Sequence, residues 1–205
     1  MKYVMTMVTA IALTASTAWA HSLKDLEDSL RARETYVQIV ERPAPPFTLT
    51  DTQGRSVSFA DFQGQVVVLN FIYASCPDVC PLHSALIAEL QAQINRTAMA
   101  DMVQFISITT DPERDSPQLM DEYGEAQGLD PAKWIFLTGA VQATRGLAWD
   151  YGLKFSPGEE GYLMHGVVTH VIDKSGTLRA RYHGCLLYTS PSPRDRTRSR
   201  MPSSA

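Results

Sequence analysis

Apolar and polar positions alternate along residues 47–184 in blocks that predict strands and helices in turn. Residues 66–72 form a long apolar run rich in β-branched and aromatic side chains, which predicts a strand buried on both faces. The following residues 82–94 place Leu and Ile at helical spacing and predict an amphipathic helix. The same pattern predicts strands at 103–110, 134–137, 166–173 and 177–182 and helices at 116–127 and 142–151. Strands that alternate with helices and end in a hairpin indicate an α/β sheet with helices on both faces.

Two further segments precede the central strand. Residues 47–59 alternate around an Asp-Thr-Gln-Gly turn and predict an N-terminal β-hairpin. Leucines between residues 22 and 36 predict a short amphipathic helix, and the Pro-rich residues 42–46 predict a stiff extended connector. We therefore expect a helix and connector at 21–46, followed by one domain at 47–184.

Residues 1–20 have the layout of a secretory signal peptide. Lys2 precedes an apolar stretch at 3–13, and Ala20 ends an Ala-x-Ala cleavage site. The apolar stretch is shorter than the run of about 18 residues that spans a bilayer, so we expect cleavage after Ala20 rather than a retained membrane anchor. Export predicts a periplasmic protein whose cysteines need a reductant or a metal ion to stay unbonded.

Composition limits the remaining classes of function. The chain has 205 residues and a formal net charge of −4, which indicates an ordinary globular domain and gives no sign of nucleic-acid binding. After Gly184 the composition changes, because residues 185–205 alternate Arg with small polar residues and predict disorder. We interpret this tail as non-native adapter or vector sequence, with a natural basic tail as the alternative. We give Cys185 no role as a ligand or disulfide partner.

Cys76 and Cys80 lie between the central strand and the helix that follows it, where open α/β sheets place their chemistry. If the segment is helical from Cys76 onward, the two Cβ atoms lie roughly 5–6 Å apart, whereas a disulfide needs about 3.5–4.5 Å. The spacing suits a shared metal ion slightly better than a disulfide without excluding the disulfide. A helix N-terminus also favours thiolates. Two structural cysteines, a c-type haem site and a structural zinc site fit this spacing less well.

The element order, with a cysteine pair at the first strand-to-helix junction, resembles the thioredoxin fold. Residues 71–81, 107–115 and 164–173 together resemble the Sco/SenC family of copper-binding proteins, and the similarity runs from about Pro45 to Gly184. The resemblance implies a thioredoxin-like fold with a central mixed sheet, flanking helices and an N-terminal β-hairpin. Family members are periplasmic or mitochondrial, hold one copper ion with two cysteines and a histidine, and help to assemble the dinuclear copper centre of cytochrome c oxidase.

Matched onto this chain, the family's copper ligands are Cys76, Cys80 and His165. His165 precedes an apolar strand that a thioredoxin-like fold packs beside the cysteine turn. His170 lies on the opposite face of that strand, which favours a hydrogen-bonded core or half-exposed histidine. His83, three residues after Cys80, could approach the site along the helix, but a solvated helix face explains it more simply.

Two thiolates and an imidazole suit copper, because soft thiolates hold Cu(I) and the imidazole keeps the site open to Cu(II). Zinc accepts the same donors, so the residues alone do not fix the metal. Asp111 and Asp115 follow the second buried strand, and a loop with a helix cap explains most of their role. The resemblance leaves room for a secondary part in copper delivery or partner contact. Asp78 is interpreted as a cap of the cysteine turn.

These features predict a periplasmic metallochaperone, rather than a conventional enzyme, that delivers copper to a subunit of cytochrome c oxidase or to another cuproprotein. A thiol reductant is the second expected partner, and membrane contact requires an uncleaved signal anchor. The alternative function is a thiol-disulfide oxidoreductase that uses Cys76 and Cys80 as its redox couple. Against it, such enzymes use Cys-x-x-Cys, and no proline precedes Val167 where they place a cis proline. A peroxiredoxin fits less well, since Leu69 and Tyr73 occupy its Pro and Thr positions.

Overall fold

The computed structural model describes residues 36–76, 79–157 and 163–184, of which 79, 157 and 163–165 are described by their backbone alone. In chain order the strands are β1 (Val37–Pro43), β2 (Thr48–Asp51), β3 (Ser56–Ser58), β4 (Val66–Ile72), β5 (Val103–Thr109), β6 (Trp134–Thr138), β7 (Phe155–Pro157), β8 (Leu163–His165), β9 (Val168–Ile172) and β10 (Thr177–His183). The α-helices are α1 (Val79–Ile94), α2 (Pro117–Ala126) and α3 (Val141–Asp150), and short 3₁₀ helices span Phe59–Phe62 and Ala100–Met102.

Eight strands form one mixed sheet in the order β1, β10, β9, β4, β5, β6, β2, β3. Strands β4, β5 and β6 are parallel, and β9 adds to β4 in the antiparallel direction. The β2–β3 hairpin joins β6 at the other side. Strands β7 and β8 pair with each other in a separate two-stranded sheet. The predicted mixed sheet with flanking helices and an N-terminal hairpin is therefore confirmed.

The sheet has two buried sides, because successive side chains of β4 point in opposite directions. Leu69 and Phe71 belong to a core cluster that includes Leu147 and Tyr151 from α3 and the residue after it. Val68 belongs to the second cluster, which takes side chains from α1 and α2. We call these the α3 side and the α1 side of the sheet. Burying one such large apolar side chain contributes about 1.5–3 kcal/mol to stability, so both clusters hold the fold together.

The helix that follows β5 begins as the sequence predicts. The side chain of Ser116 accepts a hydrogen bond from the Leu119 N–H at 3.1 Å, which satisfies one of the free donors of the first turn. Pro117 occupies the first position of α2, where its missing N–H costs nothing. Gly124 lets α2 approach the sheet, since a Cβ atom there would lie 2.8 Å from Cε2 of Phe136.

Three strands were not predicted. Strand β1 pairs with β10 at one edge of the sheet, so Arg42 and Pro43 of the predicted connector are strand residues. An edge strand tolerates Pro43 because one of its two sides needs no ladder hydrogen bond. Strands β7 and β8 are three residues each, too short to give a period in the sequence. The predicted signal peptide, the N-terminal helix up to residue 35 and the tail at 185–205 lie outside the described residues.

The buried face of α1 differs from the face that its leucines predict. Leu82 is 52% exposed, whereas His83, Ser84 and Gln91 are at most 2% exposed and face the sheet and α2. Each of the three buried polar side chains has a hydrogen-bond partner across the packing interface. In the part of the chain that the structure describes, no helix is long and apolar enough to cross a bilayer.

Candidate functional site

The structure brings Cys76 and Cys80 together at the carboxyl end of β4. Cys76 lies in the loop that follows β4, and its N–H donates to the carbonyl oxygen of Tyr73 at 3.1 Å. Cys80 lies in the first turn of α1. Both cysteines are buried and are not joined by a disulfide, and the Cys76 thiol is close enough to Cys80 to raise the pKa of Cys80. The two cysteines are therefore neighbours, as a shared metal ion requires.

Burial controls the protonation of these thiols. Loss of hydration raises the pKa of Cys80 far above its ordinary value, and the neighbouring Cys76 thiol and the charge of Asp115 raise it further. A hydrogen bond from the backbone of Tyr73 acts in the opposite direction but is weaker. The position at a helix N-terminus favours a thiolate, but burial raises the pKa of Cys80, so the expected thiolate is not favoured there. A cation that binds between the sulfurs must therefore displace protons.

The backbone of His165 lies in β8, where it pairs with Phe155 of β7. Strand β8 ends at His165, and β9 begins three residues later at Val168. The His165 side chain lies outside the described part of the chain, as does Asp78. Among the side chains that are described, no three His, Cys, Asp or Glu residues come together as a metal site. The assignment of His165 as third ligand stays a prediction.

His170 is a buried core histidine on the α3 side, as one of the two predicted roles requires. Its Nε2 lies 3.1 Å from the carbonyl oxygen of Tyr151, and its Nδ1 lies 3.3 Å from that of Leu69. The ring packs edge-on against Phe71 and Tyr151 at centroid distances of 6.0 and 5.0 Å. Burial lowers the pKa of His170 to about 4. Both nitrogens face backbone carbonyl oxygens on the α3 side, and the neutral ring donates to one of them, so His170 directs no ligand atom at the cysteine site.

His83 does not lie on a solvated helix face, and that prediction is wrong. Its side chain is 2% exposed, and its Nε2 lies 2.9 Å from Oγ1 of Thr169 on β9. The contact ties the first turns of α1 to the strand that follows His165. A sequence that shows one polar residue on a helix cannot reveal a hydrogen-bond partner 86 positions away.

Asp115 does not cap α2, because Ser116 does. Its carboxylate accepts hydrogen bonds from the Ala74 N–H at 2.9 Å, from the N–H and hydroxyl of Ser75 at 3.4 and 3.5 Å, and from the Thr109 hydroxyl at 2.5 Å. The side chain is buried, and loss of hydration raises its pKa although these donors lower it. Asp115 thus holds the cysteine loop by hydrogen bonds and does not cap the helix that follows it.

Asp111 is buried beside two arginines. Its Oδ2 accepts from Arg114 at 2.7 Å, and its Oδ1 lies 3.5 Å from the guanidinium of Arg145 on α3. Arg145 also donates to the carbonyl oxygen of Thr110 at 3.0 Å. These contacts fix the end of β5 to α3, a structural role that goes beyond the predicted loop and cap.

Sequence reasoning missed the polar residues that pack behind the cysteines on the α1 side. The Tyr123 hydroxyl of α2 donates to Oγ of Ser84 on α1 at 2.7 Å, and burial raises the pKa of Tyr123. Ser107 donates to Asn70 at 2.7 Å between neighbouring strands. Polar residues inside otherwise apolar strands, such as Asn70 and Ser107, were the signal that could have revealed this cluster.

A cavity of about 670 Å³ lies between the β2–β3 hairpin and α2. Its lining includes Asp51, Gln118, Asp121 and Trp134 and none of the predicted copper ligands. The candidate site is the buried thiol pair, since the donor atoms and not the volume decide metal binding.

The SCO1/SenC family model matches residues 38–186 of the chain. The SCO1 protein homolog of Bacillus subtilis (strain 168) is 27% identical over 145 residues, which cover 68% of this chain and 72% of that protein. The chain spans 52% of the length of the mitochondrial SCO2 homologs of Bos taurus and Homo sapiens.

Three solved structures share this fold. A SCO1/SenC family lipoprotein from Bacillus anthracis has a TM-score of 0.68 at 25% identity and covers 80% of this chain and 96% of its own. BsSco, a member of the Sco family of cytochrome c oxidase assembly proteins with a disulfide switch, has a TM-score of 0.63 at 25% identity and coverages of 73% and 88%. Bradyrhizobium japonicum ScoI with copper bound has a TM-score of 0.57 at 30% identity and coverages of 67% and 87%.

Proposed function

Because this chain belongs to the SCO1/SenC family, as its motifs predicted, we propose that it is a copper-binding metallochaperone for assembly of the dinuclear copper centre of cytochrome c oxidase. Two similar proteins support the proposal. Bradyrhizobium japonicum ScoI has been solved with copper bound, and BsSco is a member of a family of cytochrome c oxidase assembly proteins. The copper acceptor is then a subunit of that oxidase or another cuproprotein.

The observation that carries the proposal is the pair of buried, unbonded thiols at the end of β4. Thiolates are soft ligands that prefer Cu(I). Burial raises the pKa of Cys80, so this thiol becomes a thiolate ligand when a cation displaces its proton. Binding and release of the copper cargo are therefore coupled to loss and uptake of a proton at Cys80.

His165 supplies the third ligand in this proposal, since an imidazole beside two thiolates keeps the site open to Cu(II) as well as Cu(I). Strand β8, which ends at His165, leads directly into β9. Thr169 of β9 in turn contacts His83, one helical turn after Cys80. The chain around His165 is thus joined to the cysteine helix by a buried contact, which supports the assignment.

The proposed location is outside the cytoplasm. The predicted signal peptide at 1–20 favours a cleaved periplasmic protein, with a membrane-anchored form as the second choice. The similar Bacillus anthracis protein is a lipoprotein, which supports export and attachment to a membrane surface.

One observation favours a second function, reduction of partner disulfides. The two buried cysteines are neighbours without a disulfide between them, so a dithiol that can close to a disulfide is already in place. The disulfide switch of BsSco supports redox activity of such a pair. The two functions use the same sulfur atoms and differ in whether a metal ion or an electron pair is transferred.

Anaerobic titration of the reduced protein with Cu(I), in competition with a chromophoric chelator, tests the proposal. We expect one tightly bound copper ion per chain, and we expect Cys76→Ser and His165→Ala to lose that tight binding. His183→Ala is the matched histidine control, because this exposed side chain on β10 lies outside the predicted site. Its affinity should equal that of the unmodified protein.

Equal copper affinity in the variants and the control would contradict the metallochaperone proposal. Turnover of a disulfide substrate by the metal-free protein, with loss of turnover in Cys76→Ser, would then establish the oxidoreductase. Circular dichroism of each variant distinguishes a lost ligand from a lost fold.

A further inference from the structure

We propose that Asp115 is the positioning residue of the cysteine pair, whose carboxylate holds the loop before Cys76 so that its thiol faces Cys80. The inference concerns the thiol geometry itself. Its consequence for copper affinity rests on the proposed function.

The contacts of Asp115 converge on the two residues before Cys76. One carboxylate oxygen accepts from the Ala74 N–H at 2.9 Å, and the other lies 3.4 Å from the Ser75 nitrogen. The first oxygen also accepts from the Thr109 hydroxyl on β5. The carboxylate therefore ties the cysteine loop to the end of the neighbouring strand.

A second contact fixes the start of the same loop. The backbone N–H and the hydroxyl of Thr110 both donate to the carbonyl oxygen of Ile72, at 2.7 and 3.1 Å. Cys76 comes four positions after Ile72, and hydrogen bonds from the end of β5 or from Asp115 hold both halves of that span. The path of the chain into Cys76 is set by the end of β5.

Cys80 is held by different contacts. It lies on α1, which is fixed by the contact of His83 with Thr169 and by that of Ser84 with Tyr123. Cys80 is therefore held mainly by the helix, with one further contact from the Tyr73 backbone, whereas Cys76 lies in the loop that Asp115 and the end of β5 hold. Loss of the Asp115 anchor should loosen Cys76 more than Cys80.

Among the described residues, the buried Asp115 carboxylate serves neither as a helix cap nor as half of an ion pair. Ser116 caps α2, and no arginine, lysine or histidine in the described ranges forms an ion pair with Asp115. A buried carboxylate without a cationic partner costs stability unless hydrogen bonds offset its lost hydration. Here the Thr109 hydroxyl makes the shortest of these hydrogen bonds, and the other three donors belong to Ala74 and Ser75 of the cysteine loop.

The test compares Asp115→Ala, Asp115→Asn and Thr109→Val in the mature protein. Thr109→Val removes one donor to Asp115 and the acceptor of the Asp111 N–H but keeps the carboxylate that contacts Ala74 and Ser75, so we expect the effects on the cysteine loop to decrease in that order. Asp51→Asn is the matched control, because Asp51 is also buried and holds a different loop through the N–H groups of Gln53 and Arg55.

The first measurement is amide hydrogen exchange. Asp115→Ala should speed exchange at Ala74 and Ser75 at least tenfold, while amides in the centre of β4 keep the rate of the unmodified protein. Asp51→Asn should leave both residues unchanged.

The second measurement is the dithiol-disulfide equilibrium against dithiothreitol. Closing the Sγ–Sγ bond removes two protons and two electrons from Cys76 and Cys80, and these reduce oxidised dithiothreitol to its dithiol. A loosened loop lowers the effective concentration of one thiol at the other, so Asp115→Ala should shift this equilibrium about tenfold towards the dithiol. In the same variant Cu(I) affinity should fall about 10–100-fold, the usual effect of losing a residue that orients metal ligands.

Unchanged exchange and an unchanged thiol equilibrium in Asp115→Ala or Asp115→Asn would overturn the inference. Equal effects of Asp51→Asn would also overturn it, because they would indicate general loosening of the fold. The unmodified protein could bind no copper while Asp115→Ala still shifts the dithiol-disulfide equilibrium. In that case the positioning role stands and the metallochaperone proposal fails. If Asp115→Ala does not fold, Asp115→Asn and Thr109→Val decide the question by the same measurements.

Discussion

The two sides of the central sheet differ in the kind of residue that they bury. The α3 side is packed from apolar side chains such as Leu69, Ile108 and Leu147, with His170 as its buried imidazole. The α1 side combines an apolar cluster with many buried polar residues, namely Asn70, His83, Ser84, Gln91, Ser107, Thr109, Asp115 and Thr169. Of these residues, Asp115 contacts the loop before Cys76, and His83 and Ser84 lie in the first turns of α1 close to Cys80.

The difference separates two tasks of a buried side chain. Apolar burial stabilises the fold in proportion to the area that is buried and has no preferred direction. It therefore constrains the positions of individual atoms less strictly than a hydrogen bond does. A buried hydrogen bond has strict distance and angle requirements, so it fixes the atoms that it joins. We infer that the α3 side chiefly supplies stability and that the α1 side positions the two thiols.

The largest effect on stability should come from the α3 side. Leu69 is fully buried there, so Leu69→Ala should lower the free energy of unfolding by about 2–5 kcal/mol through lost contacts and a new cavity. Urea unfolding followed by circular dichroism measures this change. The dithiol-disulfide equilibrium of the folded fraction should stay the same. A shift of that equilibrium comparable with the shift in Asp115→Ala would break the proposed division between the two sides.

The second test uses the pH dependence that His170 gives to the α3 side. Its pKa is about 4 in the folded chain and about 6.5 in the unfolded chain, so the unfolded state binds the proton first as pH falls. Stability from the neutral, buried ring is complete above pH 6.5 and is lost as the pH falls towards 4, by up to about 3 kcal/mol.

The control for this test is His170→Asn, which removes the titrating group. Its unfolding free energy should vary less between pH 6.5 and pH 4 than that of the unmodified protein. The other acidic and basic groups are common to both chains, so the difference between the two curves isolates His170. Parallel curves would show that His170 does not couple the α3 side to pH.

The comparison also shows why the sequence predicted some features and missed others. The strand at 66–72 and the start of α2 at Pro117 depend on local apolar runs and a local cap, so both were predictable. The buried face of α1 was not predictable from the sequence. It is decided by partners such as Thr169 and Tyr123, which lie far away in the chain and match the polar residues of the helix one by one.

The candidate site divides in the same way. The spacing of Cys76 and Cys80 is local, so their convergence could be expected from the sequence. The role of Asp115 could not, because the nearest local role for it was a helix cap and its donors Ala74 and Ser75 lie 41 and 40 residues earlier. Long-range hydrogen bonds produce no periodic pattern in the sequence. The sequence also does not distinguish a buried aspartate from an exposed one.

The smallest expected effect comes from one hydrogen bond on the α1 side. Tyr123→Phe keeps the ring in the core but leaves the buried Ser84 hydroxyl without its donor, which should cost about 1–3 kcal/mol of unfolding free energy. Ser84→Ala in the same chain removes the orphaned hydroxyl. The double variant should therefore be less destabilised than the sum of the two single variants, with a coupling of about 0.5–1.5 kcal/mol.

Because Ser84 lies one turn after Cys80, Tyr123→Phe should also change the dithiol-disulfide equilibrium, although less than Asp115→Ala does. Strict additivity of the two substitutions would show that this bond does not stabilise the α1 side. A coupling of the expected size with an unchanged thiol equilibrium would show that the bond stabilises the α1 side without positioning Cys80.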